Sequence, residues 1–363
     1  MKFRRLVLKL HGSIAIFMGL LLIVISLSGA GIVFHEEIDR AFNQSFYRVT
    51  PQAEQVSLDT MVASVQASHP DLPVWFIQSP KALDESYVIN QKMANDLRFQ
   101  TFVNPYKGDV LGSRIWEYSF VGFLYTLHHE LFAGKIGQIF VGVTGVLLLL
   151  MALTGVLLWT GWRKLLNGFK IRWNAPFSLL IYDLHQFIGI LSSVFFTITA
   201  LTGVAIVIVH FLPMFNQIQA AKPLPQTFPV ALSKLIQIAD EAMPEGKTTV
   251  IEFPEGDLQK LTVRKKLPNQ ETGQFDLSSV VLDRYSGEVL QANKVVKPES
   301  FFKFLVTIAN LHFGTFGGLP TRILYIFVGL MPTVLLGTGL IIWKRRHWLA
   351  AKRKLARKLA TNP

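Results

Sequence analysis

Four stretches of the chain, 13–34, 136–160, 187–212 and 323–343, each run for more than twenty residues without an Asp, Glu, Lys or Arg. About 20 apolar residues suffice for a helix to cross a hydrocarbon core, so the pattern predicts four membrane-spanning helices. Between the first and second, polar and apolar positions alternate through YVINQ and LRFQTFVNPYKGDVLGSRI, with Asn-Pro and Lys-Gly as turn punctuation. That is the pattern of short strands and hairpins. The preceding LDTMVASVQASHP has helical spacing and a Pro stop. The connection between the third and fourth runs keeps this order, with FPVALSKLIQIADEAMP as a helix and TTVIEFP, KLTVRKK and SSVVLDRYSGEVLQAN as strands. Each connection is expected to form a small α+β domain. FVNPYKGDVLG and VLDRYSGEVLQ align as strand, amide or acid, Tyr, Gly, acid and Val-Leu, which predicts hairpin turns at 106–108 and 285–287.

The apolar runs themselves come in two kinds. LHGSIAIFMGLLLIVISLSGAGIVFH and LHQFIGILSSVFFTITALTGVAIVIVH each open on a Leu-His pair, reach a hydroxyl-Gly step eighteen positions after that His, and close on a second His. LHHELFAGKIG and LHFGTFGGLPTR precede the other two runs, and His128 to Gly155 and His312 to Gly339 are both twenty-seven positions. A Trp follows each Gly after four more residues, at Trp159 and Trp343. Internal repetition of this kind decides the architecture. The expected fold class is an α+β membrane protein, a four-helix transmembrane bundle built from two parallel repeats, each with a small extracytoplasmic α+β domain. Its segments are a basic start and first helix (1–35), a first domain (36–127), the second helix (128–160), a loop (161–186), the third helix (187–212), a second domain (213–311), the fourth helix (312–343) and a basic tail (344–363).

Composition agrees with a membrane protein: 363 residues, 50% hydrophobic and 17% charged, with a mean hydropathy of +0.37. The net charge of +12 suggests nucleic acid only until its distribution is seen. Sixteen basic residues and one acid, Asp183, fall in the start, the middle loop and the tail. Basic flanks mark the cytoplasmic side, so the termini are expected inside a bacterial inner membrane, the long connections in the periplasm, and no nucleic acid as partner. The basic tail is also suited to lipid headgroups. The first apolar run has a twin in mid-chain, so it reads as an uncleaved anchor rather than a signal peptide. With no cysteine, disulfides, thiolate metal sites, iron–sulfur clusters and covalently attached haem are excluded.

Nine histidines remain as candidate chemistry, and seven lie in or beside the membrane region: His11, His35, His128, His129, His185, His210 and His312. Ionisable side chains there are costly and point to function, and imidazole is an axial ligand of haem iron. Across a two-fold repeat His11 would face His185 at one end. At the other end both His35 with His210 and His128 with His312 are candidate pairs. The twenty-four residues from His11 to His35 correspond to about 36 Å of helix, so these two belong to opposite faces. The hydroxyl-Gly steps at Ser28-Gly29, Thr154-Gly155, Thr202-Gly203 and Thr338-Gly339 admit a macrocycle or a neighbouring helix. Trp159, Trp162 and Trp343 are expected in an aromatic belt. Asp183 is a helix cap or an acceptor behind His185. His69, His129 and His347 are taken as ordinary. No nucleotide-binding motif is present and the cytoplasmic segments are too short for a flavin or nicotinamide site, so electrons would come from a protein donor on the cytoplasmic side or from quinol.

The LH and TG pairs at four sites, with VLDRYSGEVL and its diverged copy FVNPYKGDVLG, make the chain similar over essentially its whole length to the PepSY-associated transmembrane family. That family includes iron-regulated membrane proteins and siderophore-iron reductases. The resemblance implies PepSY-like periplasmic domains that receive a ferric siderophore, and haem b, two per chain, held by His11, His128, His185 and His312, with His35 and His210 as the competing outer pair. Reduction to Fe(II) weakens the grip of hard oxygen ligands on the metal. Two other readings are a non-enzymatic protein that binds or restrains a periplasmic partner, and a small-solute transporter.

Overall fold

The computed structural model describes residues 2–93, 97–211, 229–253, 259–268, 278–295 and 300–361. In chain order the first part contains α1 (Lys2–Ile32), α2 (His35–Phe42), α3 (Gln44–Tyr47), α4 (Leu58–Ser68), β1 (Val74–Gln78), β2 (Tyr87–Lys92), β3 (Arg98–Val103), β4 (Val110–Ile115), α5 (Phe120–Glu130), α6 (Gly134–Leu158) and α7 (Leu165–Gly168). The second contains α8 (Phe177–His210), α9 (Leu232–Ala242), β5 (Lys247–Glu252), β6 (Lys260–Lys266), β7 (Ser278–Asp283), β8 (Val289–Asn293), α10 (Ser300–Phe313) and α11 (Leu319–Thr361). The chain divides into two compact units. One holds 1–33, 124–209 and 311–363, the other 34–123 and 210–310.

The first unit is a helical bundle. Four of its helices are long and apolar enough to cross a membrane: Lys2–Ile32, Gly134–Leu158, Phe177–His210 and Leu319–Arg353. The protein is therefore a multi-pass membrane protein in a lipid bilayer. α8 begins ten residues before its uncharged run because Pro176 sets the first turn, with its carbonyl accepting from Leu179 N at 2.7 Å, and the polar Tyr182, Asp183 and Gln186 continue the helix. Hydropathy marks what a bilayer tolerates, whereas a helix extends as far as its backbone bonds allow. Small residues bring the helices close, as expected where lipid removes the hydrophobic drive for association: a Cβ on Gly329 would lie 2.8 Å from Ala30 Cβ. In mid-bundle Ala152, Phe196 and Val328 are buried, flanked by Leu148, Phe195, Met331 and Leu335.

Two short helices lead into spans by tight turns. Between α5 and α6 the backbone is left-handed at Leu131 (φ 51°), Phe132 (φ 58°) and Gly134 (φ 54°). Between α10 and α11 the left-handed positions are Gly314 (φ 72°) and Gly318 (φ 68°). The Tyr325 hydroxyl of α11 donates to the Leu311 carbonyl of α10 at 2.5 Å. His128 and His312 are thus carried on separate helices that precede the spans.

The second unit is built on one antiparallel sheet of eight strands in the order β4-β3-β2-β1-β5-β6-β7-β8. The strands of both long connections join in it through β1 and β5, with Ile77 opposite Ile251. Their pairing removes two exposed edges, which otherwise invite aggregation. One core takes Ile77, Ile89, Val103, Ile251, Leu261, Val263, Val280 and Leu282 from the strands, and Met61, Val62, Val65, Leu232, Leu235 and Ala239 from α4 and α9. The alternating strand pattern and the i, i+3, i+4 spacing of the helices explain these positions. Asp59 of α4 accepts from Leu232 N at 2.6 Å and Ser233 N at 3.0 Å, so it caps the start of α9, where Ala231 offers no side-chain acceptor. The two hairpin turns match: Asn104 Oδ1 accepts from Tyr106 N at 3.0 Å and Asp283 Oδ1 from Tyr285 N at 2.8 Å. Gly108 (φ 74°) and Gly287 (φ 78°) supply the left-handed position in each.

On β2–β4 a polar network is buried beneath α2 and α3. Arg114 binds Asp39 through both terminal nitrogens (2.6 and 2.5 Å) and Gln100 Oε1 through Nε (3.0 Å). The Tyr47 hydroxyl donates to Asp39 at 2.5 Å. Burial by itself would raise the Asp39 carboxyl, but the bonds from Arg114 and Tyr47 hold it below its usual range. Burial and the neighbouring carboxylate raise the Tyr47 phenol.

Candidate functional site

Four imidazoles of the bundle meet in two pairs. His11 of α1 and His185 of α8 have ring centres 6.5 Å apart with planes at 89°. His128 of α5 and His312 of α10 have ring centres 6.1 Å apart with planes at 44°. His11 precedes Ile25 and Gly29, the residues of α1 that touch His128, by fourteen and eighteen positions. At 1.5 Å per residue the two levels are about 21–27 Å apart along that helix.

Every one of these rings lies against the glycine of a hydroxyl-Gly step on a different helix. A Cβ on Gly155 would meet His11 Cε1 at 3.6 Å, and one on Gly339 would meet His185 Cε1 at 3.4 Å. At the other level a Cβ on Gly29 would lie 2.7 Å from His128 Cε1, and one on Gly203 2.8 Å from His312 Cε1. So α1 places His11 on α6 and receives His128 from α5; the same connections recur among α8, α11 and α10. The steps read in the sequence as room for a macrocycle or a helix are seats for the histidine rings.

Each Nδ1 faces a hydrogen-bond partner on a neighbouring helix. His11 Nδ1 is 2.9 Å from Thr154 Oγ1, and His185 Nδ1 is 2.8 Å from Thr338 Oγ1. Each threonine gives its one proton to a carbonyl of its own helix, Leu150 at 2.7 Å or Val334 at 2.8 Å. With the threonine proton so placed, the hydroxyl accepts from the imidazole, and the ring proton is assigned to Nδ1. His128 Nδ1 lies 2.7 Å from the Ile25 carbonyl, which can only accept. His312 Nδ1 is 3.1 Å from both the Thr199 carbonyl and Thr202 Oγ1, and Thr202 donates to Ile198 O at 2.7 Å. All four rings are assigned Nδ1–H, which leaves Nε2 with its lone pair.

That arrangement suits axial ligation. Two bonds of about 2.0 Å from one metal atom to imidazole nitrogens put the ring centres about 6 Å apart, close to both separations found here. A second group that orients a ligand histidine through its other ring nitrogen is the usual support of such a ligand. Among the described residues no group of three or more His, Cys, Asp or Glu could hold a metal ion. Two imidazoles per level are too few for a bare structural zinc and sufficient for an iron already held by a porphyrin.

The remaining sequence candidates lie elsewhere. His35 opens α2 and His210 ends α8; His210 is exposed, with its ring 6.4 Å from that of Phe211. The seats on α1 and α8 are taken by His128 and His312. Asp183 is in the second turn of α8 and is neither a cap nor a partner of His185: it binds Arg172 through Nε (2.8 Å) and NH2 (2.7 Å). Trp159 is buried, with Nε1 3.3 Å from Gly168 O, because the backbone of 161–168 folds over it, whereas Trp162 and Trp343 are exposed. The threonine acceptors were within reach of the sequence, since a hydroxyl precedes each seat glycine. The carbonyls of Ile25 and Thr199 were not, because they depend on helix rotation.

The family model described as PepSY-associated TM region matches residues 8–346. No curated protein matches the chain.

Proposed function

The chain belongs to the PepSY-associated transmembrane family, and from that premise we propose that it is a b-type haem protein that carries electrons across a bacterial inner membrane to a periplasmic ferric siderophore. The observation that carries this reading is the pairing of four histidines at two levels, at ring separations of 6.5 and 6.1 Å, each with its Nδ1 proton engaged. His11 and His185 would hold one haem near the cytoplasmic face, and His128 with His312 a second nearer the periplasm. The crosswise seating of the rings also favours two parallel repeats, and the basic flanks favour cytoplasmic termini.

When bound, haem supplies a reversible one-electron Fe(III)/Fe(II) couple. The chain's own residues hold the ligands. Thr154, Thr338 and the carbonyls of Ile25 and Thr199 fix the rings against rotation, and the four seat glycines let them approach the neighbouring backbone. Ala152, Phe196 and Val328, with Leu148, Phe195, Met331 and Leu335, keep the mid-bundle dry. Each ferric ion takes one electron; a quinol yields two with two protons, enough for two ferric ions, and a cytoplasmic-side protein donor is the other source. The resulting Fe(II) is held less tightly by hydroxamate or catecholate oxygens. Both long connections contribute to the unit that would receive the chelate, and its single eight-stranded sheet, with α4 and α9 on one core, supports reading the connections as two PepSY-like domains.

The reading is tested by haem content of the full-length protein purified in detergent from cells supplied with haem. His185→Ala and His312→Ala are each expected to lose one of two haems, while His35→Ala and His210→Ala keep both. Equal haem in all four variants would refute the ligand assignment.

A further inference from the structure

Trp159 and Trp343 occupy matching places, each four residues after a seat glycine, and the chain treats them differently. After Trp343 the α11 helix runs on. After Trp159 the chain folds back: Cβ atoms on Gly161 and Gly168 would run into the indole, at 2.5 Å from Cζ2 for Gly168, and Trp159 Nε1 donates to Gly168 O at 3.3 Å. Phe169 closes the fold, its ring centre 5.2 Å from that of Trp159 and 6.3 Å from that of Phe187. Phe187 opens the apolar run of α8, so residues 160–169 are held where hydrocarbon gives way to headgroups.

The outward face of this fold is apolar and basic together. Trp162, Leu165 and Leu166 are 67, 64 and 85% exposed, and such a cluster marks a surface that something else covers. The polar end of Trp162 is already engaged, its Nε1 donating to Val156 O at 2.7 Å, so the ring offers its apolar faces. Arg163 and Lys164 stand among these residues and Lys170 just beyond them. Arg4 of α1 comes alongside, with NH2 3.5 Å from Leu158 O at the end of α6. The whole bundle unit has two carboxylate side chains, Glu130 and Asp183. Glu130 ends α5, two residues after His128, and Asp183 is paired with Arg172. The positive charge is therefore met from outside the unit. Trp and basic residues at this depth match the acyl–headgroup boundary of a bilayer, and an anionic phospholipid supplies negative charge and hydrocarbon in one molecule. An acidic soluble protein would answer the charge alone.

We propose that residues 160–170, with Arg4, form a docking surface for an anionic phospholipid of the adjoining leaflet. Its phosphate is met by Arg4, Arg163, Lys164 and Lys170, and its acyl chains lie against Trp162, Leu165 and Leu166. The bound lipid braces the fold over Trp159, one turn along α6 from Gly155, the seat of His11. The surface stands whether or not the histidines hold haem.

The test uses the full-length protein in bilayers of equal parts phosphatidylcholine and phosphatidylglycerol, with bromine on the acyl chains of one lipid or the other. The fluorescence lost in Trp162→Phe reports the Trp162 indole. That signal should be quenched by both brominated lipids, and more strongly by the phosphatidylglycerol. A basic residue near a membrane surface contributes a preference of about fivefold, so Lys164→Gln should cut the selectivity by about that factor, while Lys352→Gln, in the tail, leaves it unchanged. A second measurement needs no variant: wild type released from the same bilayers into a mass spectrometer should retain phosphatidylglycerol in preference to phosphatidylcholine. The proposal is overturned if neither brominated lipid quenches Trp162, which would leave the face to a soluble partner. It is equally overturned if the two lipids quench and are retained alike, or if Lys352→Gln lowers the selectivity as much as Lys164→Gln does. None of these results bears on haem content, so the haem reading stands or falls separately.

Discussion

The seats of the four rings differ in a way that single methyl groups should expose. At Gly29 an added Cβ would lie 2.7 Å from His128 Cε1 and 2.9 Å from Nδ1, and at Gly203 it would lie 2.8 Å from His312 Cε1. Ordinary carbon contacts begin near 3.5 Å, so each ring must retreat by about 0.7 Å. His128 cannot retreat freely, because its Nδ1–H is bound at 2.7 Å to Ile25 O, one turn below Gly29 on the same helix. Gly29→Ala should therefore cost the overpacking strain of about 1–3 kcal/mol, and up to about 1–3 kcal/mol more if the buried Nδ1–H loses its acceptor. Gly155→Ala and Gly339→Ala meet His11 and His185 at 3.6 and 3.4 Å, which is ordinary contact, and should lie within about 1 kcal/mol of wild type, since Ala is also the better helix former. Apparent thermal unfolding in detergent, with haem content read on the same samples, separates the two classes. The expected result is a lowered midpoint and loss of one haem for Gly29→Ala and Gly203→Ala, and neither for the other two. Equal behaviour of all four would refute the seating.

Four further outcomes follow from the sheet unit and the proposed reaction. Asp39→Asn leaves the Arg114 guanidinium without its carboxylate in a buried site; breaking such a pair typically costs about 3–5 kcal/mol, and amide hydrogen exchange of β2–β4 in the full chain should accelerate accordingly. Because the folded chain holds Asp39 below its ordinary value, the unfolded chain binds that proton more readily, so this contribution is present above the unfolded value, 3.8, and is lost as pH falls through the lower folded one; exchange in β2–β4 should rise in wild type below about pH 4 and show no such step in Asp39→Asn. Asp59→Ala should weaken the start of α9 by about 1–2 kcal/mol through loss of its cap, read as faster exchange at Leu232 and Ser233. Protein reduced by dithionite and freed of excess reductant should be reoxidised by a ferric hydroxamate with capture of Fe(II) by a chelator, and His312→Ala should slow this step; unchanged rates would remove the second site from the path.

Much of the bundle was legible because its signals are long-range and redundant. Uncharged runs located the four spans to within a few residues except at the starts of α1 and α8 and the end of α11, where the helix outlasts the apolar run. Seven of the eight strands were visible from the pattern of the chain, and the hairpin turns from the shared Tyr-x-Gly pattern around Asn104 and Asp283; β1 was not, because VWFIQ has no polar position before its last residue and so shows no alternation. What could not be read is pairing across distance. The joining of β1 to β5 depends on two edges meeting, and nothing in VWFIQ or KTTVIE specifies it. Four of the six candidate histidines form facing pairs; the choice between His128 with His312 and His35 with His210 rests on α5 and α10 being separate helices, an arrangement set by the left-handed turn at Leu131 and Phe132 and by the glycines at 314 and 318. The Asp39–Arg114–Tyr47 network joins residues on three elements, none in a recognisable motif.

The central claim is that these paired imidazoles hold haem. The most direct measurement is the absorption spectrum of the detergent-purified full chain, oxidised and then reduced with dithionite, with haem quantified against protein. The account predicts reduced b-type bands at two haems per chain. A colourless protein from cells amply supplied with haem would contradict it.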